Sequence, residues 1–126
     1  RHPGFYVNGG YGSENVVPES KAYVPPEWRG NYFAGGFQGG KSDIFLKMCK
    51  ELSANITDDE EKGIIAEHND ESHLNHYIYS HPEIPRIELD PGYCMVEAVE
   101  RRKEWGIDNF DVKIIALDKN HAEIRS

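Results

Sequence analysis

The chain has 126 residues, 38% of them hydrophobic and 29% charged, which suits one folded domain with one modest core and excludes wholesale disorder. A net charge of −8 argues against nucleic acid as the main partner, because neutralising phosphates requires a basic face. No apolar run approaches the ~18 residues needed to cross a bilayer, and the two cysteines, Cys49 and Cys94, make neither a disulfide framework nor a zinc site.

In chain order, residues 1–30 are rich in Gly, Pro, Asn and Ser and predict irregular loop. Residues 31–34 (NYFA) form a short aromatic run that predicts a buried strand. Four glycines follow in the six residues 35–40, and then Ser42 as an N-cap. Ile44, Phe45, Met48, Cys49 and Leu52 recur at the spacing of an amphipathic helix, with Cys49 expected as a buried free thiol. The charge run at 58–62 (DDEEK) reads as a solvated helix start, since acids are favoured in a first turn. Residues 71–79 predict another helix. Pro82, Pro85 and Pro91 interrupt the next stretch and leave 86–89 as a short strand. Residues 95–105 predict a helix that stops at Gly106, and 112–117 are the best strand. The order is that of an α/β chain with few strands. It is thin for a complete nucleotide-binding domain, so the expectation is one half of a larger domain.

Gly35-Gly36-Phe37-Gln38-Gly39-Gly40-Lys41-Ser42 fits the pattern GxxxxGK[ST] between a predicted strand and a predicted helix. In a phosphate-binding loop the backbone N–H groups would cradle phosphates and Lys41 would reach the terminal one. Two features weigh against that reading. Such a domain needs a wider parallel sheet, and the doublet–spacer–doublet GGFQGG also serves close backbone approach to a ligand or a strand.

The densest polar segment runs His68-Asn69-Asp70-Glu71-Ser72-His73-Leu74-Asn75-His76. It reads as a solvated helix start with acids at the positive end of the dipole, or as adjacent carboxylates aimed into a cleft to stabilise or attack an oxocarbenium-like centre. Spacing alone leaves both open. His73 and His76 share a helix face, but no HExxH pattern or Cys/His pair accompanies them to make a zinc site.

Five segments resemble, in order, motifs of the retaining glycosyltransferases of family 6, the blood-group A/B and α-1,3-galactosyltransferase family. They are His2-Pro3-Gly4-Phe5-Tyr6 (HPGFY), Ala22-Tyr23-Val24-Pro25 (AYVP), residues 32–40 (YFAGGFQGG), residues 70–75 with Tyr77 (DESHLNxY), and Lys119-Asn120-His121 with Arg125. Together they span residues 2–125. The resemblance implies a GT-A fold, of which residues 1–126 would be the C-terminal acceptor and donor-sugar half, with the nucleoside-binding half absent. It implies transfer of galactose or N-acetylgalactosamine from UDP-Gal or UDP-GalNAc to a galactoside acceptor, in α-1,3 linkage and with retention. Glu71 then corresponds to the catalytic acid at the donor's reactive face. Asp70 would bond donor-sugar hydroxyls, and Ala34, Gly35 and Gly36 would line the sugar pocket. His2 and His68 would meet the acceptor, and Lys119 and Arg125 would hold the diphosphate.

Small residues at 34 and 36 leave room beside the sugar C2 substituent and slightly favour GalNAc over galactose; one residue rarely settles such discrimination, typically ~1–3 kcal/mol for a small apolar increment. The family carries Trp-His where this chain has His68-Asn69, and its FTYERR segment has no counterpart in residues 10–19. Its metal-binding DxD motif does not occur here, so ligands for Mn2+ would lie outside this chain. The resemblance leaves membrane association open. Unpaired cysteines and the lack of an anchor favour a bacterial or phage cytoplasmic protein over a Golgi one. The alternatives are a phosphate-loop nucleotide binder on residues 35–42, and a non-catalytic carbohydrate-binding module on the same fold.

Overall fold

A computed structural model describes residues 1–7 and 12–119. Three helices carry the structure: α1 (Ser42–Glu61), α2 (Asp70–Ser80) and α3 (Val99–Glu104). Two short strands, β1 (Met95–Val96) and β2 (Ile115–Ala116), form a parallel pair with Met95 opposite Ile115. Single 3-10 turns lie at Pro3–Phe5, Pro26–Trp28 and Pro91–Cys94, each begun by a proline whose fixed φ suits a first helical position.

Helix α1 has 20 residues and so runs for about 30 Å. Its predicted stripe is narrower than the sequence suggests. Leu52 is buried and Phe45 and Met48 are half-buried, while Cys49 is exposed rather than packed inside. The charge run at 58–62 closes this helix instead of opening another. The stop is Gly63, at φ 71°, with Gly63 N–H donating to the Glu60 carbonyl and Ile64 N–H to that of Asp59. That is the paired capping pattern a left-handed glycine permits. Carboxylates at a helix C-terminus are disfavoured by the dipole, and Asp59 is offset locally. It is buried and accepts from Ser20 Oγ at 2.6 Å and from Lys21 N at 2.8 Å. Helix α3 ends by the same device at Gly106, φ 66°, as its sequence predicts. It starts later than predicted, because Met95 and Val96 belong to β1.

Helices α1 and α2 pack through Leu52, Leu74 and Tyr77, with Met48, Ile78 and Ile84 around them. Ala22, Val24, Tyr32, Met95 and Ile107 are also buried. Between α1, α2 and the segment after α2 lies an open apolar groove of about 850 Å3, lined among others by Phe33, Phe37, Ile44, Phe45, Met48 and Ile84.

The remaining predicted strands differ. Residues 86–89 form none, and of 112–117 only Ile115 and Ala116 pair. Residues 31–34 are extended but join no sheet. The Tyr32 carbonyl accepts from His2 N at 2.9 Å, and one stripe of α2 bonds the peptides on either side of it. Tyr79 Oη accepts from Asn31 N at 2.8 Å and donates to Asn31 O at 2.7 Å. Asn75 Oδ1 accepts from Phe33 N, and its Nδ2 donates to Phe33 O, both at 2.9 Å. Steps of four helical residues advance ~6 Å and steps of two extended residues ~6.6 Å, so a helix stripe can follow alternate peptides of an extended chain.

Gly92 carries the junction between the last 3-10 turn and β2. Its carbonyl accepts from both Lys113 N and Ile114 N. A Cβ at this position would run into the Asp111 carbonyl oxygen, which is backbone and cannot swing away. Gly92→Ala is expected to lose on the order of 2 kcal/mol of stability, as overpacking does, read by chemical denaturation. His73 gives a pH prediction. It is 3% exposed, and burial lowers its pKa from 6.5 while Asp59, with Nε2–Oδ2 at 3.7 Å, pulls the other way. The fold therefore prefers the neutral ring. Its stabilisation is complete above about 6.5 and is lost as pH falls below that value, where only the unfolded chain takes up the proton. Denaturation midpoints at pH 7.5 and 5.5 should differ less in His73→Gln than in the wild type.

Candidate active site

Helix α2 is launched by a tight turn. Glu71 N–H donates to the His68 carbonyl at 3.0 Å, and Asn69 at the turn's first corner has φ 44° and ψ −116°. That corner is glycine's in such a turn, and Asn is among the few side chains that tolerate positive φ. Holding a non-glycine there costs about 1–3 kcal/mol, the kind of strain that collects at functional sites. The result is that Asp70 and Glu71 occupy the first helical turn, where the dipole favours negative charge. Asp70 is exposed; Glu71 is half-buried and turns toward the glycine segment.

Glu71 Oε2 accepts from Gly35 N–H at 2.7 Å. A Cβ on Gly35 would stand 3.4 Å from Glu71 Cβ and 3.5 Å from Oε2, so the backbone here runs in contact with the acid's side chain. This contact extends the α2 stripe: Glu71, Asn75 and Tyr79 hold residues 35, 33 and 31 in turn.

Three aromatic rings back the carboxylate. Tyr32 is 1% exposed and its hydroxyl has no hydrogen-bond partner among the described residues. Burial first, and then the charge of Glu71, push its ionisation far above the usual phenol range, so it stays neutral. His2 Nδ1 accepts from Gly4 N–H at 3.1 Å, which leaves the proton of the neutral ring on Nε2. The ring packs on Phe5 and Tyr32 with centroids 4.7 and 5.7 Å away. Burial lowers the His2 pKa, opposed by Glu71 and assisted by His68. The structure thus brings His2, His68, Gly35 and Glu71 to one place. Ala34 is half-buried beside Gly35, and Gly36 is exposed.

Residues outside the five motifs complete the surroundings. Cys94 Sγ stands 3.9 Å from the Cβ position of Gly36, and burial, together with Glu71, pushes its thiol up. Tyr93 stacks on Phe37 with centroids 6.3 Å apart. Trp105 reaches the Pro3–Phe5 turn, its Cη2 3.4 Å from the Cβ position of Gly4, and so flanks His2. Trp28 lies elsewhere, against His76 at 5.9 Å. Lys119 is exposed. Arg125 lies outside the described residues.

The phosphate-loop reading does not survive. Among the described residues no sheet strand precedes residues 35–42, Gly39 and Gly40 face open space, and Lys41 is exposed at the start of α1. The two helical histidines do not form a pair either, since His73 faces Asp59 and His76 Nδ1 contacts the Tyr23 carbonyl at 2.7 Å. Among the described residues no three His, Cys, Asp or Glu side chains converge as metal ligands, and no helix is long and apolar enough to cross a membrane. What the cluster offers is one carboxylate with an oxygen anchored by glycine backbone, lined by a neutral imidazole and a neutral phenol. Such a site suits a reacting centre that gains positive charge.

The profile of "Glycosyltransferase family 6" matches residues 2–126. The chain is 33% identical to the rat "Histo-blood group ABO system transferase 1" and 29% identical to the chicken "Globoside alpha-1,3-N-acetylgalactosaminyltransferase 1", each over 99% of its own length and 35% of theirs. It is 34% identical to the Escherichia coli "O-antigen biosynthesis glycosyltransferase WbnI" over 72% of its length and 35% of that protein. The chain therefore spans about a third of the curated relatives it matches. A mixed α/β fold that sets a glycine-bonded carboxylate at the start of α2, with a family profile running from residue 2 to residue 126, makes this chain a member of glycosyltransferase family 6.

Proposed function

We propose that the protein is a retaining hexosyltransferase that moves GalNAc or Gal from a UDP-sugar to a galactoside acceptor in α-1,3 linkage. The observation that carries this is the Gly35–Glu71 hydrogen bond, which joins the glycine segment to the acid-bearing turn of α2. The chain acts as the acceptor and donor-sugar half of a GT-A domain, with the nucleoside and any Mn2+ held by residues outside it. The open apolar groove, with the exposed Ile87 on its lining, supports this reading, because monomers rarely leave a large apolar patch in water.

In the reaction the bond between sugar C1 and the phosphate oxygen breaks and its electron pair leaves with UDP. The acceptor hydroxyl oxygen bonds C1 on the same face, and its proton passes to the departing phosphate. Glu71 presents Oε1 to C1 as positive charge develops there. Its other oxygen is fixed by Gly35 N–H, so the carboxylate need not reorient as the charge appears. Asp70, exposed beside it, bonds sugar hydroxyls, and Ala34, Gly35 and Gly36 leave room for the C2 substituent; an N-acetyl group fills that room better than a hydroxyl. His2, with its Nε2 proton free to donate, meets the acceptor together with His68. Lys119 and Arg125 neutralise the diphosphate.

UDP release from UDP-GalNAc and UDP-Gal by the full-length protein tests this. Glu71→Gln is expected to lose ~100-fold or more in rate. A Glu71→Gln rate equal to wild type removes Glu71 from the reacting centre. No turnover of either sugar, with galactosides still bound, points to a carbohydrate-binding module instead. The isolated 126-residue chain is expected to release no UDP from UDP-GalNAc in the same assay.

A further inference from the structure

Asn75 is 0% exposed, and all three of its hydrogen bonds go to backbone. Its Oδ1 accepts from Phe33 N, and its Nδ2 donates both to Phe33 O and to Glu71 O, each at 2.9 Å. One carboxamide thus grips the glycine segment, two residues before Gly35, and the main chain of the acid itself. A helix interior needs no side-chain donor at residue 71's carbonyl, and a core position would be filled more cheaply by an apolar group. The two pieces joined by Asn75 are those that meet again at the 2.7 Å Gly35–Glu71 bond. Tyr79, one turn further on, holds Asn31 in the same manner and fixes the far end of the segment.

We propose that Asn75 is a positioning residue for glycosyl transfer: it sets the register between the glycine segment and α2, and through that register it fixes the Glu71 carboxylate against Gly35 N–H. The inference rests on the assignment of Glu71 to the reacting centre. It assigns the second invariant need of the site, geometry, to a side chain that touches no substrate. Tyr79 extends the same clamp with less leverage, because it acts four residues away from the bond that matters. An error of about 1 Å in a reacting group costs up to ~100-fold in rate.

The test uses the full-length protein with selectively 15N-labelled glycine. The Gly35 amide proton, identified by its displacement in Glu71→Gln, is expected to lose its hydrogen-bonded shift in Asn75→Ala and to move part of the way in Tyr79→Phe. UDP release should fall in kcat by roughly 10- to 100-fold for Asn75→Ala, and by less for Tyr79→Phe, with the KM for the UDP-sugar within ~3-fold of wild type. In a Glu71→Gln background neither substitution should lower the rate further, since both act through the carboxylate. Tyr79→Phe keeps the ring and the packing, so it reads the clamp even where Asn75→Ala does not fold. A Gly35 amide unmoved in Tyr79→Phe, a kcat that does not change with it, or full additivity with Glu71→Gln overturns the proposal and leaves these residues a purely structural role. A wild-type rate in Glu71→Gln removes the assignment of Glu71 instead, whatever the amide does.

Discussion

The site depends on a helix standing in for a strand. Every peptide group needs a partner once it leaves water, and among the described residues no strand pairs with residues 31–35. Side chains of α2 take that place, one per turn, bonded to every second residue of the extended segment. The near-equality of the two repeats allows three successive contacts without strain. The arrangement then does what a sheet would not. It ends on a carboxylate, so the device that aligns the backbone also delivers the acid to the glycine pocket.

A second anchor holds α2 from behind. Asp59, at the end of α1, gathers the hydroxyl of Ser20, the amide of Lys21 and the ring of His73. The loop that carries the AYVP residues, the C-terminus of α1 and the middle of α2 thereby meet at one buried carboxylate. The burial of Asp59 would be costly alone; the hydrogen bonds from Ser20 Oγ and Lys21 N are what make it tolerable. The position of Glu71 is consequently defined from both sides, by the extended segment in front and by Asp59 through His73 behind.

Much of this was legible in the sequence where the signal is local. Helix α2 begins within one residue of its expected start, and Gly106 stops α3 because left-handed glycine is a chain-local requirement. Motif order was enough to name the family before any geometry. The failures share a cause. The acids at 58–62 look like a helix start because their compensation comes from Ser20 and Lys21, some forty residues earlier in the chain. Residues 31–34 read as strand because extended backbone and a sheet strand have the same local pattern; the partner, a helix, lies in α2. Asn75 gave no periodic signal at all, since its partners are peptide groups and peptide groups are invisible in a sequence. Tyr32, Cys94 and Trp105 were brought to the site by packing across the fold, and nothing in their spacing announces it. Asn69 did carry a sign, as a residue tolerant of positive φ just before an acidic helix start.

The two thiols consequently have different chemical fates. Cys49 lies exposed on α1, open to oxidants and to alkylating reagents. Cys94 sits half-buried by Gly36, its thiolate disfavoured by burial and by a neighbouring carboxylate. Since the thiolate is the reactive form, covalent labelling distinguishes the two without mutagenesis: a dye or spin label settles on the outer helix, and the thiol beside the glycines keeps its proton.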